Sequence, residues 1–240
     1  SSTDWQTVFY IGGLVPLLIV PLLGRYLPES LQLRTGADVA PIGVVQGLFR
    51  EGAALPTGLI WVSYFFTLMV VYILINWLPS LLIAQGFSGR QASWVMLALQ
   101  IGAAVGTLML GWVMDRLPAW ALSALIYFGI LASLTALGLA TRLESMLVAG
   151  FVAGFFATGG QGVLYALAPH FYGPSIRATG VGSAVAIGRL GAMSGPLVAG
   201  KMLALGTGTA GVMLVSAPGI VITAVAMFYL TVRRNGSRSD

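Results

Sequence analysis

Arg189 is the side chain with the most chemistry to offer, because it sits near the middle of a long apolar run, Ala178 to Leu203. In a membrane an arginine at that depth costs from about 3 to more than 10 kcal/mol unless it is paired or hydrated. The chain has seven acids, Asp4, Glu29, Asp38, Glu51, Asp115, Glu144 and Asp240, and each falls at the end of an apolar run or between runs. None is placed to neutralise Arg189. The remaining compensators are an acid elsewhere in the protein, carbonyls and water in a cavity, or an anionic ligand. A carboxylate suits best, since a guanidinium meets it with two parallel hydrogen bonds. Snorkelling to the cytoplasmic edge, or a structural pair, is the plainer alternative.

Weaker candidates accompany it. Gln161 and Tyr165 are four residues apart and share a helix face, just after Gly159 and Gly160, which can bend a helix. Phe65, Met69, Tyr72 and Asn76 follow helical spacing and make a mixed aromatic and polar stripe, while Ser93, Gln100 and Thr107 recur every seven residues. Taken singly, a Gln, Asn or Tyr in a membrane helix serves as interhelical glue more often than as a ligand contact. Asp115 and Arg116 follow Gly111 in a short loop, where they can cap a helix, pair when a gate closes, or simply be solvated. His170 beside Phe171 and Tyr172 reads as an interfacial histidine rather than a proton relay. With no cysteine and one histidine, a disulfide framework, a thiolate metal site and a multi-histidine site are impossible. No serine–histidine pair or pair of buried aspartates is visible for intramembrane hydrolysis, so the chain does not read as an enzyme and no cofactor is expected. A channel is disfavoured, since no acidic ring or carbonyl filter motif appears.

The elements that carry these residues follow from composition. Hydrophobic residues make up 58% of the 240 positions and charged ones only 8%, with a mean hydropathy of +0.92. A soluble domain carries about a quarter charged residues. Seven stretches are long and apolar enough to span about 30 Å of hydrocarbon: Val8 to Tyr26, Gly58 to Leu82, Ala92 to Met114, Trp120 to Ala140, Ser145 to Pro169, Ala178 to Leu203 and Gly211 to Val232. The expected fold class is thus an all-α membrane protein. The polar stretch Pro28 to Pro56 reads as a linker between bundles. This gives 1–27 as the last helix of one bundle, 28–56 as a cytoplasmic loop and 57–240 as a second, six-helix bundle.

The net charge of +5 does not point to nucleic acid, because the basic residues are scattered at span ends. One side collects Arg25, Arg34, Arg50, Arg116, Arg177, Arg233, Arg234 and Arg238, and the other only Arg90, Arg142 and Lys201. The first side is therefore expected to be cytoplasmic, with the C-terminal tail inside. Residues 1–6 are polar and show no signal peptide, and an outside start without Met leads us to expect upstream sequence. Gly102 and Gly106, Gly150 and Gly154, and Gly191 and Gly195 form Gly-xxx-Gly pairs, which let helices approach closely. Spans four and seven, poor in polar groups, are expected on the lipid-facing outside, and spans two, three, five and six around a cavity.

Several segments then carry a family likeness. Gly111-Trp-Val-Met-Asp115-Arg116 resembles the second copy of the loop motif of the major facilitator superfamily, with Leu117, Pro118 and Ala119 where a glycine and basic residues usually follow. The run Tyr172-Gly-Pro-Ser-Ile-Arg177-Ala-Thr-Gly-Val-Gly, continuing through Gly188-Arg189-Leu-Gly191 to Gly195-Pro196, is similar to the aromatic acid:proton symporters of that superfamily. Leu27-Pro28-Glu29-Ser30, the Asn76-Trp77-Leu78-Pro79 turn, and Ala153 through Gln161 to Pro169 narrow the likeness to members that carry 3-(3-hydroxyphenyl)propionate. The resemblance implies helices six to twelve of a twelve-helix symporter in the bacterial inner membrane. Its partners are an aromatic carboxylate, a proton, the bilayer and an N-terminal bundle that holds the proton-coupling acid. It also implies that Arg189 receives the substrate carboxylate or its counter-acid. Gln161, Tyr165, Tyr72, Asn76 and Gln100 then shape the pocket, while Asp115, Arg116 and Arg177 act at the cytoplasmic gate. Benzoate-type acids are the second substrate class, and a non-transporting structural or binding half is the rival reading.

Overall fold

The computed structural model describes residues 53–236, a short helix at 44–49 and isolated helical positions between 10 and 25. Residues 1–42 form one compact unit and residues 43–240 another. Most of the expected span Val8 to Tyr26 and most of the loop Pro28 to Pro56 lie outside the described residues.

The described residues of the second unit form helices joined by short turns, with no strand among them. We label its helices α1 (Val44–Phe49), α2 (Ala54–Ala84), α3 (Gly89–Met114), α4 (Ala119–Leu139), α5 (Leu143–Ala153), α6 (Gly159–Leu167), α7 (Arg177–Ala204) and α8 (Gly208–Gly236). Between α5 and α6 the chain passes through a π-helical turn, Gly154–Thr158, and after α6 through a 3₁₀ turn, Ala168–Phe171. Among the described residues, six helical runs are long and apolar enough to cross a membrane, the π-interrupted run Leu143–Phe171 counting as one. They match the last six stretches expected from hydropathy to within four residues at every end.

Local chemistry explains the boundaries. Ser88 caps α3, its Oγ accepting from Gln91 N at 3.3 Å while Gln91 Oε1 accepts from Ser88 N at 2.8 Å. Gly86, Gly206 and Gly208 hold positive φ in the two tight connections, the region glycine enters without steric cost. The Asn76-Trp77-Leu78-Pro79 segment is not a turn: α2 runs unbroken through Pro79 to Ala84. A membrane helix tolerates a proline because neighbouring helices and local adjustments satisfy the freed carbonyl.

Packing centres on α2, which lies chiefly against α7 and also against α8 and α3. Tyr64, Leu68, Leu74, Leu78 and Leu81 along α2 are fully buried. α3 packs on the run from α5 to α6, and α4 lies between α8 and α5. Glycines set both close interfaces. A Cβ at Gly102 would overlap the Phe151 carbonyl, one at Gly154 the Leu99 carbonyl and one at Gly191 the Phe65 carbonyl. At those points the helices touch backbone to backbone, which replaces the hydrophobic drive that lipid cannot supply.

Hydroxyl groups are mostly satisfied inside their own helix. Ser63, Ser93, Thr107, Ser133, Ser183, Ser194, Ser216, Thr223 and Thr231 each donate to a carbonyl three or four residues earlier. Of the row Ser93, Gln100 and Thr107, only Gln100 therefore has its polar group uncommitted.

Candidate functional site

The site is assembled from α2, α6 and α7. Arg189 is carried by the middle of α7, two residues before Gly191, whose close seat on Phe65 draws α7 onto α2. This proximity brings Arg189 to Tyr72: Arg189 Nη1 donates to the Tyr72 hydroxyl at 2.7 Å. The guanidinium remains exposed, on a helix that also presents Leu190, Met193 and Leu197 outward. No acidic side chain pairs with it among the described residues. A single neutral oxygen answers one of its five N–H donors, leaving the others available to an anion.

The second cluster belongs to α6. Gln161 Nε2 donates to the Tyr165 hydroxyl at 3.2 Å, and the Tyr165 ring lies 5.2 Å from the ring of Tyr64 on α2. Both α6 residues are half-buried, whereas Tyr64 is wholly buried and its hydroxyl meets no partner among the described residues. The π-turn Gly154–Thr158 just before α6 sets the direction in which this pair faces. The glycines at 159 and 160 marked the place, although the irregularity precedes them. π-turns inside α-helices recur at functional sites. Tyr64 was missed by sequence reasoning because it falls outside the Phe65, Met69, Tyr72 and Asn76 stripe. The geometry joins Tyr72 to Arg189 and Tyr165 to Gln161. Asn76 and Gln100 are exposed and hydrogen-bonded to none of these residues.

At the end of the bundle where α3 stops, Arg116 lies over the Trp112 ring, 3.3 Å from its centroid, a cation–π stack rather than an ion pair with Asp115. Asp115 occupies the C-cap position of α3 and is exposed, and Arg177 opens α7, also exposed. The structure does not bring Asp115, Arg116 and Arg177 into direct ion pairs among the described residues. Near Arg177 the Tyr172 ring is packed under Gly180, and burial pushes the Tyr172 hydroxyl pKa upward, so it stays neutral.

A groove of about 280 Å³ runs between α4 and α8, lined by Leu134, Gly138, Ala210 and Met213 among others, with no charged group. It cannot orient an anion. Among the described residues no cluster of His, Cys, Asp and Glu is able to hold a metal ion. Two polar pairs with donors to spare, the exposed Arg189–Tyr72 pair and the neutral Gln161–Tyr165 pair, are held against α2.

Comparison with known proteins agrees in kind. The chain is 62% identical to the 3-(3-hydroxy-phenyl)propionate transporter of Escherichia coli K12 over 98% of its own length and 58% of the relative's. It is 35% identical to a gallate transporter of Pseudomonas putida over 85% of the chain, and 30% identical to a 4-hydroxybenzoate transporter of the same organism over 84%, each match covering 52% of the relative. The chain therefore spans about half the length of the curated relatives it matches. The sequence pattern of the Major Facilitator Superfamily matches residues 60–240, from early α2 to the end of the chain. With six helices fit to cross a membrane among its described residues and that match over three-quarters of its length, the chain is a multi-pass membrane protein that belongs to the Major Facilitator Superfamily of transporters.

Proposed function

We propose that this chain is the C-terminal part of a proton-coupled secondary transporter that imports aromatic carboxylates across the bacterial inner membrane. Phenylpropionate-type acids such as 3-(3-hydroxyphenyl)propionate come first and benzoate-type acids second. The observation that carries the reading is Arg189: a guanidinium in mid-span, exposed, with a tyrosine hydroxyl and no acid for company. The cost of keeping such a charge at membrane depth is offset when it binds a carboxylate. The names of the similar transporters supply the aromatic part.

On this reading the seven expected spans are helices six to twelve of a twelve-helix fold, residues 28–56 are the central cytoplasmic loop, and the C-terminus is cytoplasmic. An N-terminal bundle, set against the exposed faces of α3 and α7, completes the cavity and supplies the proton-binding acid. Arg189 takes the carboxylate, or that acid between cycles. Gln161, Tyr165, Tyr72, Asn76 and Gln100 shape the aromatic pocket, and Asp115, Arg116 and Arg177 work at the cytoplasmic gate, where the Arg116–Trp112 stack fixes one cation in place.

The test is uptake of labelled 3-(3-hydroxyphenyl)propionate by cells carrying the full-length transporter, native or with Arg189→Ala or Arg189→Lys, at matched membrane abundance. The expected outcome is uptake that collapses when the proton gradient is dissipated and falls at least 100-fold, order of magnitude, in Arg189→Ala. Arg189→Lys should recover little of it, because an ammonium lacks the planar fork. Normal transport by Arg189→Ala would remove the basis of the proposal.

A further inference from the structure

Tyr64 stands eight residues before Tyr72 on α2, which places the two residues about 12 Å apart along the helix axis. The later tyrosine anchors Arg189. The earlier one lies under the Tyr165 ring, whose hydroxyl already accepts from Gln161. Tyr64 is completely buried, and its hydroxyl has no hydrogen-bond partner among the described residues. Native interiors rarely leave such a group unanswered, so a partner beyond these side chains is called for.

The chemistry at the two ends differs. Around Arg189 the offer is a cation with spare N–H donors. Around Tyr165 it is neutral: the Tyr165 hydroxyl keeps its own proton to donate, and Gln161 retains one N–H and its carbonyl. The Tyr64 hydroxyl can both give and take. Such a set suits an uncharged hydroxyl that donates one hydrogen bond and accepts another. It offers a second carboxylate no charge.

The geometry points to a two-ended site, an inference that rests on the aromatic-carboxylate reading above. Arg189 and Tyr72 hold the carboxylate, and Gln161, Tyr165 and Tyr64 form a subsite for a hydroxyl on the substrate's aromatic ring. Gln161 and Tyr165 meet that hydroxyl, and the Tyr64 hydroxyl, on the ring that packs against Tyr165, is its third partner. The axial offset along α2 favours a substrate whose carboxylate stands off the ring on a short chain over one with the carboxylate on the ring itself.

The test compares uptake of 3-(3-hydroxyphenyl)propionate with that of 3-phenylpropionate, which lacks only the ring hydroxyl, by the full-length transporter at matched membrane abundance. The readout is the ratio of their kcat/KM values. A site that hydrogen-bonds a substrate hydroxyl discriminates against the analogue without it, so native protein is expected to favour the hydroxylated acid by about tenfold or more. Tyr165→Phe and Tyr64→Phe, each removing one oxygen, should bring the ratio below about threefold. Arg189→Lys should lower both rates and leave the ratio as it was. A native ratio near unity, or a ratio that survives both phenylalanine variants, overturns the hydroxyl subsite while the transporter reading stands. Failure of native protein to take up either acid overturns both.

Discussion

Tyr72 holds the direction of the Arg189 guanidinium without altering its charge, since a phenol oxygen accepts one N–H at 2.7 Å and leaves the cation whole. Tyr72→Phe should therefore act on ground-state binding. We expect KM for the aromatic acid to rise about 3- to 10-fold with kcat little changed, as initial-rate uptake can establish. A loss confined to kcat would instead give the tyrosine a part in turnover. Arg189 was legible in the sequence because an arginine in an apolar run is conspicuous, and its spacing in the chain excludes every acid of its own segment. Its tyrosine partner was named on helical spacing, but the bond between them spans 117 residues and depends on how closely α2 and α7 approach. Tyr64 carried no such signal. What distinguishes it is an unanswered hydroxyl, and burial of that kind exists only once the helices are packed.

The helices themselves were readable from hydropathy, and the Gly-xxx-Gly pairs announced close contacts without saying which helices meet. The structure pairs α3 with the α5–α6 run and α2 with α7, and this separates two classes of glycine. Gly154→Leu and Gly191→Leu drive a side chain into backbone that cannot yield, and each should cost about 3 kcal/mol or more. Gly182→Ala, which meets open space, should be neutral or gain up to about 1 kcal/mol from helix propensity. Thermal unfolding in detergent measures both. The π-turn is a case the sequence could not give, because its extra residue per turn leaves no mark on composition. Inserting one alanine after Gly159, where the chain is again α-helical, should rotate the rest of α6 by about 100° relative to α5. Uptake should then be lost while the protein still reaches the membrane, checked by transport and surface abundance on the same cells.

Across the whole molecule, the exposed sides of α3 and α7 present Trp94, Leu97, Ile101, Leu190, Met193 and Leu197 outward. If a second bundle covers those sides, coexpressing this chain with the N-terminal portion of a similar transporter should restore uptake that neither piece supports alone. A positive result with this chain alone would refute the need for the second bundle.

The hydroxyls that bond back to their own helix have a mechanical consequence. A helix whose polar groups are satisfied internally shows its neighbours a surface with no directional contacts, and glycine seats against carbonyls give shape without latches. Such surfaces can slip along one another with no hydrogen bond to break. The exceptions gather on α2, which is joined to α7 by Trp61–Ser183 and Tyr72–Arg189, to α4 by Thr67–Tyr127 and to α8 by Thr209 on the Leu81 carbonyl. Among the described residues, hydrogen bonds between the spanning helices therefore converge on α2, whereas α3 and the α5–α6 run meet it through shape and ring contacts.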